Sequence, residues 1–216
     1  MVIVLKKKNF FISLLIIVTS LFFVAGYYLY KKNQNIQYVK QIQPHELDIV
    51  YGSDSAQLTV YLYFRYDCVY CRKFFTDAFP PLKKEFIDRG KVKLVVKLVN
   101  LTNEEPIQNS LKTIVCIHRF GNSEPLHQLL LLEPRVVYTP EFENTTQEFI
   151  EKDEFVAECM LSGLADNYLL GNKLEFNRIK LTGTPTFVIN NHIYKGFKAY
   201  DSFKIVIEKE LSTVLR

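Results

Sequence analysis

Two cysteines stand two residues apart in the stretch YFRYDCVYCRKFF (63–75), and Cys68 and Cys71 are the side chains of this chain best suited to chemistry. Three kinds of chemistry use such a pair. A tetrahedral zinc site needs four ligands, commonly two such pairs or one pair with histidines. The remaining cysteines, Cys116 and Cys159, stand singly, and His45, His118, His127 and His192 show no ligand spacing. A structural disulfide across so short a loop restricts the unfolded chain little. The third use is redox exchange, in which one thiolate attacks a disulfide and the second thiol resolves the intermediate.

Position favours the redox use. The pair follows an apolar, β-branched run and opens a helical pattern. Cys68 then sits at the first helical turn, where unpaired backbone N–H groups and the helix dipole favour an anion. An ordinary cysteine, with a pKa near 8.5, is only about 3% thiolate at pH 7, and the thiolate is the attacking species. Arg65, Arg72 and Lys73 add positive charge nearby and Asp67 opposes it. Cys71 lies one turn further in, placed to close on Cys68.

The elements that must position this pair are legible around it. LTVYLYF (58–64) reads as a buried strand, and Val69 to Asp88 as a helix kinked or broken at Pro80-Pro81. KVKLVVKLVN (91–100) reads as a second strand, its lysines alternating with apolar residues. Residues 102–180 carry helical spacing, broken near Gly121 and Pro134. TFVIN (186–190) and HIYKG (192–196) form a hairpin turning at Asn190-Asn191, because such a turn needs positive φ. A last helix runs from about Tyr200 to Leu215. Within GTPTF (183–187) a Thr-Pro pair opens the first strand of that hairpin, and cis peptide bonds are almost wholly a proline phenomenon.

The N-terminal region has a different character. Residues 10–30, FFISLLIIVTSLFFVAGYYLY, carry no charge and are long enough to cross a bilayer. Lys6, Lys7 and Lys8 precede them, and Lys31 and Lys32 follow, which weakly favours a cytoplasmic N-terminus. A cleaved signal is the alternative, although the apolar run is longer than such a signal needs and no small-residue cleavage site follows it. Six of the 27 basic residues and one of the 23 acids precede Leu47, which leaves 21 basic and 22 acidic residues after it. That balance lacks the basic footprint of nucleic-acid binding.

Together these residues resemble the DsbA-like branch of the thioredoxin superfamily, from about Leu47 to the C-terminus. The strand before the pair, CVYC, the helical insertion, GTPTF, the hairpin and the last helix carry the resemblance. It implies an α/β thioredoxin-like fold with an inserted helical domain, here preceded by an N-terminal transmembrane helix. The parts would be a cytoplasmic flank and anchor (1–31), a linker (32–46), thioredoxin-like segments at 47–101 and 181–216, and the insertion at 102–180. The resemblance also implies that Cys68 attacks, that Cys71 resolves, and that Pro185 is cis beside them. Thr184 would pair through its backbone with an extended substrate, with Val69, Tyr70 and Tyr66 along the groove. Family members often carry a buried acid six residues before the first cysteine, and here Leu62 stands there. Val69 and Tyr70 replace the Pro or His common between the cysteines of family oxidants, which suggests a less oxidising pair.

The expected function is therefore exchange of protein thiols and disulfides on the periplasmic side of a bacterial inner membrane, most simply as a disulfide-forming oxidase. No metal or organic cofactor is required, and a membrane redox partner would reset the pair. A reductase or isomerase of the same fold is the nearest alternative. A redox-inactive binding or chaperone module is the alternative of another class, motivated by Leu62. Cys116 and Cys159, both in the insertion, are either two buried thiols or a structural disulfide. Related exported proteins can carry a pair at similar places.

Overall fold

A computed structural model of the chain describes residues 7–214. Lys6, expected to flank the membrane span, and Leu215, at the expected end of the last helix, lie outside the described residues. The chain divides into two compact units, one ending at Gln41 and the other beginning at Ile42.

The first unit is helix α1, Lys7–Lys40. From Phe10 it is long and apolar enough to cross a membrane. At 1.5 Å per residue, the uncharged stretch 10–30 covers about 31 Å, close to the hydrocarbon thickness of a bilayer. The helix does not stop at Lys32. It continues to Lys40 through part of the polar segment expected as a linker, because NQNIQYVK holds no Gly or Pro to end it.

The second unit is built on a five-stranded sheet of order β1-β3-β2-β4-β5. Its strands are β1 (Ile49–Tyr51), β2 (Leu58–Phe64), β3 (Val92–Leu98), β4 (Thr186–Ile189) and β5 (His192–Lys195). Only β2 and β3 run parallel, joined by a helical crossover, whereas β1 pairs antiparallel with β3 and β4 with both β2 and β5. The crossover is helical throughout rather than broken at Pro80-Pro81. It runs as α2 (Val69–Lys73), a π segment (Phe74–Ala78), α3 (Phe79–Leu82) and a second π segment (Lys83–Ile87). The Phe79 N–H reaches back five residues to the Phe74 carbonyl, and the two prolines fall in the first turn of α3, where they withhold N–H groups least needed. Asn190 and Asn191 both take positive φ, 45° and 67°, in the tight turn joining β4 to β5.

Period-two alternation sorts the strand side chains onto two faces. Val60, Leu62 and Phe64 are wholly buried with Phe74, Phe187 and Phe203, whose rings lie 4.6–5.8 Å apart. Leu62 is paired in register with Phe187 and Val96, so the place of the family acid is part of this apolar core. Tyr63 is turned to the opposite face, against Phe176 of α8 (Leu164–Arg178). α9 (Tyr200–Val214) supplies Phe203 and Ile207 to the core.

The insertion holds α4 (Glu105–Phe120), α5 (Glu124–Leu132), a 3-10 turn (Pro134–Tyr138), α6 (Pro140–Lys152), α7 (Glu154–Leu161) and α8. Cys116 of α4 and Cys159 of α7 are joined by a disulfide, with Cα atoms 5.7 Å apart and both residues buried.

An ionic cluster fastens the insertion to the sheet. Lys97 departs from the alternating lysines expected in β3, because its ammonium is buried between Asp48 (3.4 Å) and Glu175 (3.5 Å). Tyr63 donates to Glu175 (2.7 Å), and Tyr168 donates to Asp48 (2.8 Å). Both carboxylates are thereby satisfied, as burial demands.

Candidate redox site

Cys68 is the N-cap of α2. Its backbone is extended (φ −87°, ψ 112°) and its carbonyl accepts from the N–H groups of Cys71 and Arg72. This geometry leaves the sulfur facing the open first turn, half-buried, and within 3.4 Å of the Cys71 N–H. Cys71 is wholly buried one turn later. Neither sulfur is bonded.

The Thr184–Pro185 peptide bond is cis. Thr186 donates from its hydroxyl to the Gly183 carbonyl (2.6 Å), and Gly196 donates to the Pro185 carbonyl (2.9 Å). These bonds hold the loop against Cys68, whose sulfur lies 3.2 Å from the Thr184 carbonyl oxygen. Residues separated by 116 positions in sequence thus meet at one sulfur.

The two thiols titrate in opposite directions. The Cys68 thiol is lowered to about 5, first because the Cys71 thiol donates to it. The Thr184 side chain and the backbone N–H groups of Cys71 and Tyr70 add to that, and together they outweigh desolvation. Cys71 is pushed far above its ordinary value, chiefly by burial, and its donation to Cys68 adds to the shift. The basic side chains are not the cause. Arg65 is paired with Asp67, Arg72 donates to the Tyr66 carbonyl (3.0 Å), and the Lys73 ammonium lies over the Phe197 ring. Hydrogen bonds at a helix start, rather than neighbouring cations, stabilise this thiolate.

Val69 and Tyr70 are about 60% exposed beside the pair, free to meet a partner surface. Tyr66 is a correction. Expected along the groove, it is buried, and its hydroxyl meets Nδ1 of His127 at 2.6 Å. Its ring is anchored because a tyrosine carried into a core needs a partner for its O–H.

Sequence reading missed His127. This buried imidazole comes from α5 and packs against the rings of Phe75 (5.0 Å) and Tyr66 (5.5 Å). Desolvation lowers it to about 4, so it is neutral at physiological pH. Lys97 and its carboxylates were missed too. The register places Lys97 and Thr186 beside Tyr63, one residue beyond Pro185. Among the described residues, no cluster of three or more His, Cys, Asp or Glu is arranged to hold a metal ion.

A family model described as thioredoxin matches residues 45–209. The curated relative "Disulfide bond formation protein D" of Bacillus subtilis (strain 168) is 27% identical over 179 residues, covering 75% of this chain and 76% of the relative. The crystal structure of Wolbachia pipientis alpha-DsbA1 superposes with a TM-score of 0.67 at 17% identity, covering 82% of this chain and 97% of that one. Oxidised BdbD from Bacillus subtilis gives a TM-score of 0.61 at 23% identity, covering 79% and 96%.

Proposed function

The chain belongs to the thioredoxin family and is a DsbA-like thiol-disulfide oxidoreductase, and from that premise we propose that it is an exported, membrane-anchored oxidase that donates a disulfide to protein cysteines. The observation that carries the direction of transfer is the place of the Cys68 sulfur at the N-cap of α2, where it accepts from the Cys71 N–H and the thiolate is favoured. Stabilising that thiolate stabilises the reduced pair, and a pair stable when reduced is a strong oxidant of others.

A substrate thiolate attacks Sγ of Cys68 in the Cys68–Cys71 disulfide. A substrate–Cys68 disulfide forms, the bond between the pair breaks, and Cys71 leaves and takes up a proton. A second substrate thiolate then attacks the substrate sulfur of that mixed disulfide. Cys68 leaves as the stabilised thiolate, and the substrate carries away a new disulfide. Two electrons now rest on the pair. A membrane redox partner removes them, with no metal or organic cofactor bound to this chain. The substrate lies extended along Thr184 and Pro185, with Val69 and Tyr70 framing the reacting sulfur. Helix α1 anchors the protein with its catalytic unit on the periplasmic side.

The test is the reduction potential of the pair, measured on the full chain in detergent equilibrated with glutathione buffers. A value near about −120 mV supports the oxidase, and one near about −270 mV would make the protein a reductase.

A further inference from the structure

We propose that the cleft between α4 and α6 receives a cationic, extended segment of the same substrate polypeptide whose cysteine reacts at Cys68. This rests on the redox reading above and adds to it the class of chain that the site selects.

The cleft starts beside the reacting sulfur. Asp67, immediately before Cys68, shares a small hollow with its ion-pair partner Arg65 and with Pro134 and Val137 of the 3-10 turn. Val137 and the next residue, Tyr138, form the near wall of a larger groove of about 500 Å3. Tyr138 is 51% exposed, and its hydroxyl donates to Glu104 (2.6 Å). Asp67 and Arg135 both act electrostatically on Tyr138, in opposite senses, in keeping with their proximity. A chain leaving Cys68 on the side of Asp67 therefore crosses Tyr138 and enters the groove.

The lining fits a polypeptide better than a compact apolar ligand. Pro106, Val137, Phe142, Ile150 and Met160 are among its apolar contacts. The exposed Asn109 side chain offers amide groups that main-chain N–H and C=O can use, whereas the Thr113 hydroxyl and the Gln147 amide already donate to the Asn109 carbonyl and to Glu151. Its lining charge has one sign. Glu105 of α4 and Glu143 of α6 both line it, Glu104 accepts from Tyr138, and among the described residues no Lys or Arg lines it. Both lining carboxylates are exposed, so desolvation does not cancel their attraction for a lysine or arginine. A segment bearing Lys or Arg near its cysteine is favoured, and an acidic one is repelled.

The experiment uses the oxidised full chain in detergent and short cysteine peptides that differ only in carrying lysines or glutamates beside the cysteine. Exchange rates are followed by stopped flow at low salt. The lysine peptide is expected to react about tenfold faster than the glutamate peptide, with the ratio shrinking as salt screens it. Glu105→Gln with Glu143→Gln brings the ratio within about twofold, and Glu143→Lys lowers it further. The rate with dithiothreitol, which has no polypeptide to place, stays unchanged in all variants. A ratio near one in the native chain, or one that persists in the double variant, overturns the proposal. Absence of exchange with dithiothreitol would defeat the redox reading itself. The groove is then judged by fluorescence anisotropy with serine in place of the peptide cysteine. There the lysine preference and its loss in the double variant must reappear, and their absence overturns the groove as well.

Discussion

Cys116 and Cys159 are joined across two helices and sealed in the insertion, whereas Cys68 and Cys71 stand unbonded with one sulfur near the surface. The same side chain does different work because the backbone around it differs. Cys68 caps a helix and faces N–H donors with its neighbour's thiol beside it. Cys116 and Cys159 lie within α4 and α7, where helical bonds already occupy the backbone N–H groups, so nothing is left to stabilise a thiolate. One pair is poised to change its bonding and the other to keep it.

The largest effect expected from breaking that contrast is on exchange. Cys68→Ser should lower the rate with a thiol peptide by about a thousandfold or more. Cys71→Ser should instead stall after one step and accumulate a mixed disulfide with dithio-activated peptide, visible by mass. Replacing Cys116 and Cys159 together by Ser should leave the rate within about twofold. Equal losses from the two pairs would erase the contrast.

Stability should respond in the opposite sense. The second pair closes a span of 43 residues, so its double Ser variant should lose about 4 kcal/mol in urea unfolding on the chain-entropy estimate. Unchanged stability would remove the structural role.

A third measurement concerns the seam between insertion and sheet. His127 is held neutral in the folded state with its pKa lowered to about 4. The unfolded chain, with histidine near 6.5, binds the proton first, so stability falls as pH drops from about 6.5 and levels below about 4. The loss amounts to about 3 kcal/mol. Urea midpoints of the native chain and His127→Phe should diverge across that window, and parallel curves would refute it.

The smallest effect is on thiolate population. Cys68 should ionise with a midpoint near pH 5, followed by thiolate absorbance in the far ultraviolet. At neutral pH this gives about thirtyfold more thiolate than an ordinary cysteine holds. Its pKa is depressed on folding, so its contribution to the reduced protein's stability is full above about pH 8.5 and is lost as pH falls through about 5. A midpoint near 8.5 would put Cys68 on the same footing as any exposed thiol.

Much of this was legible in sequence, for identifiable reasons. LTVYLYF, the Asn190-Asn191 turn and CVYC opening a helix each carry their signal within a few residues. What escaped depends on partners far along the chain. β1 is three residues long and exists by pairing with Val96, Val95 and Leu94. The helix survives Pro80-Pro81 through π turns that no propensity reports. Lys97 looks like Lys91 and Lys93 in sequence, yet it is buried because Asp48 and Glu175 come to meet it. His127 and Tyr66 lie 61 residues apart and show no pattern until folding joins them.

Asp48 has a consequence for trimming the protein. The segment leading into β1 is knotted locally, with the His45 N–H donating to Asp48 (2.7 Å) and the Leu47 N–H to the His45 ring (3.1 Å). A protease that cuts between Gln41 and His45 would part the two compact units and leave this knot whole. One that cuts between Asp48 and Leu58 would free one of the two counter-charges of Lys97 and the acceptor of Tyr168, and breaking such a buried ion pair costs about 3–5 kcal/mol. Shortened versions made for soluble expression should therefore begin ahead of His45, and proteolytic fragments that begin beyond Asp48 should not persist.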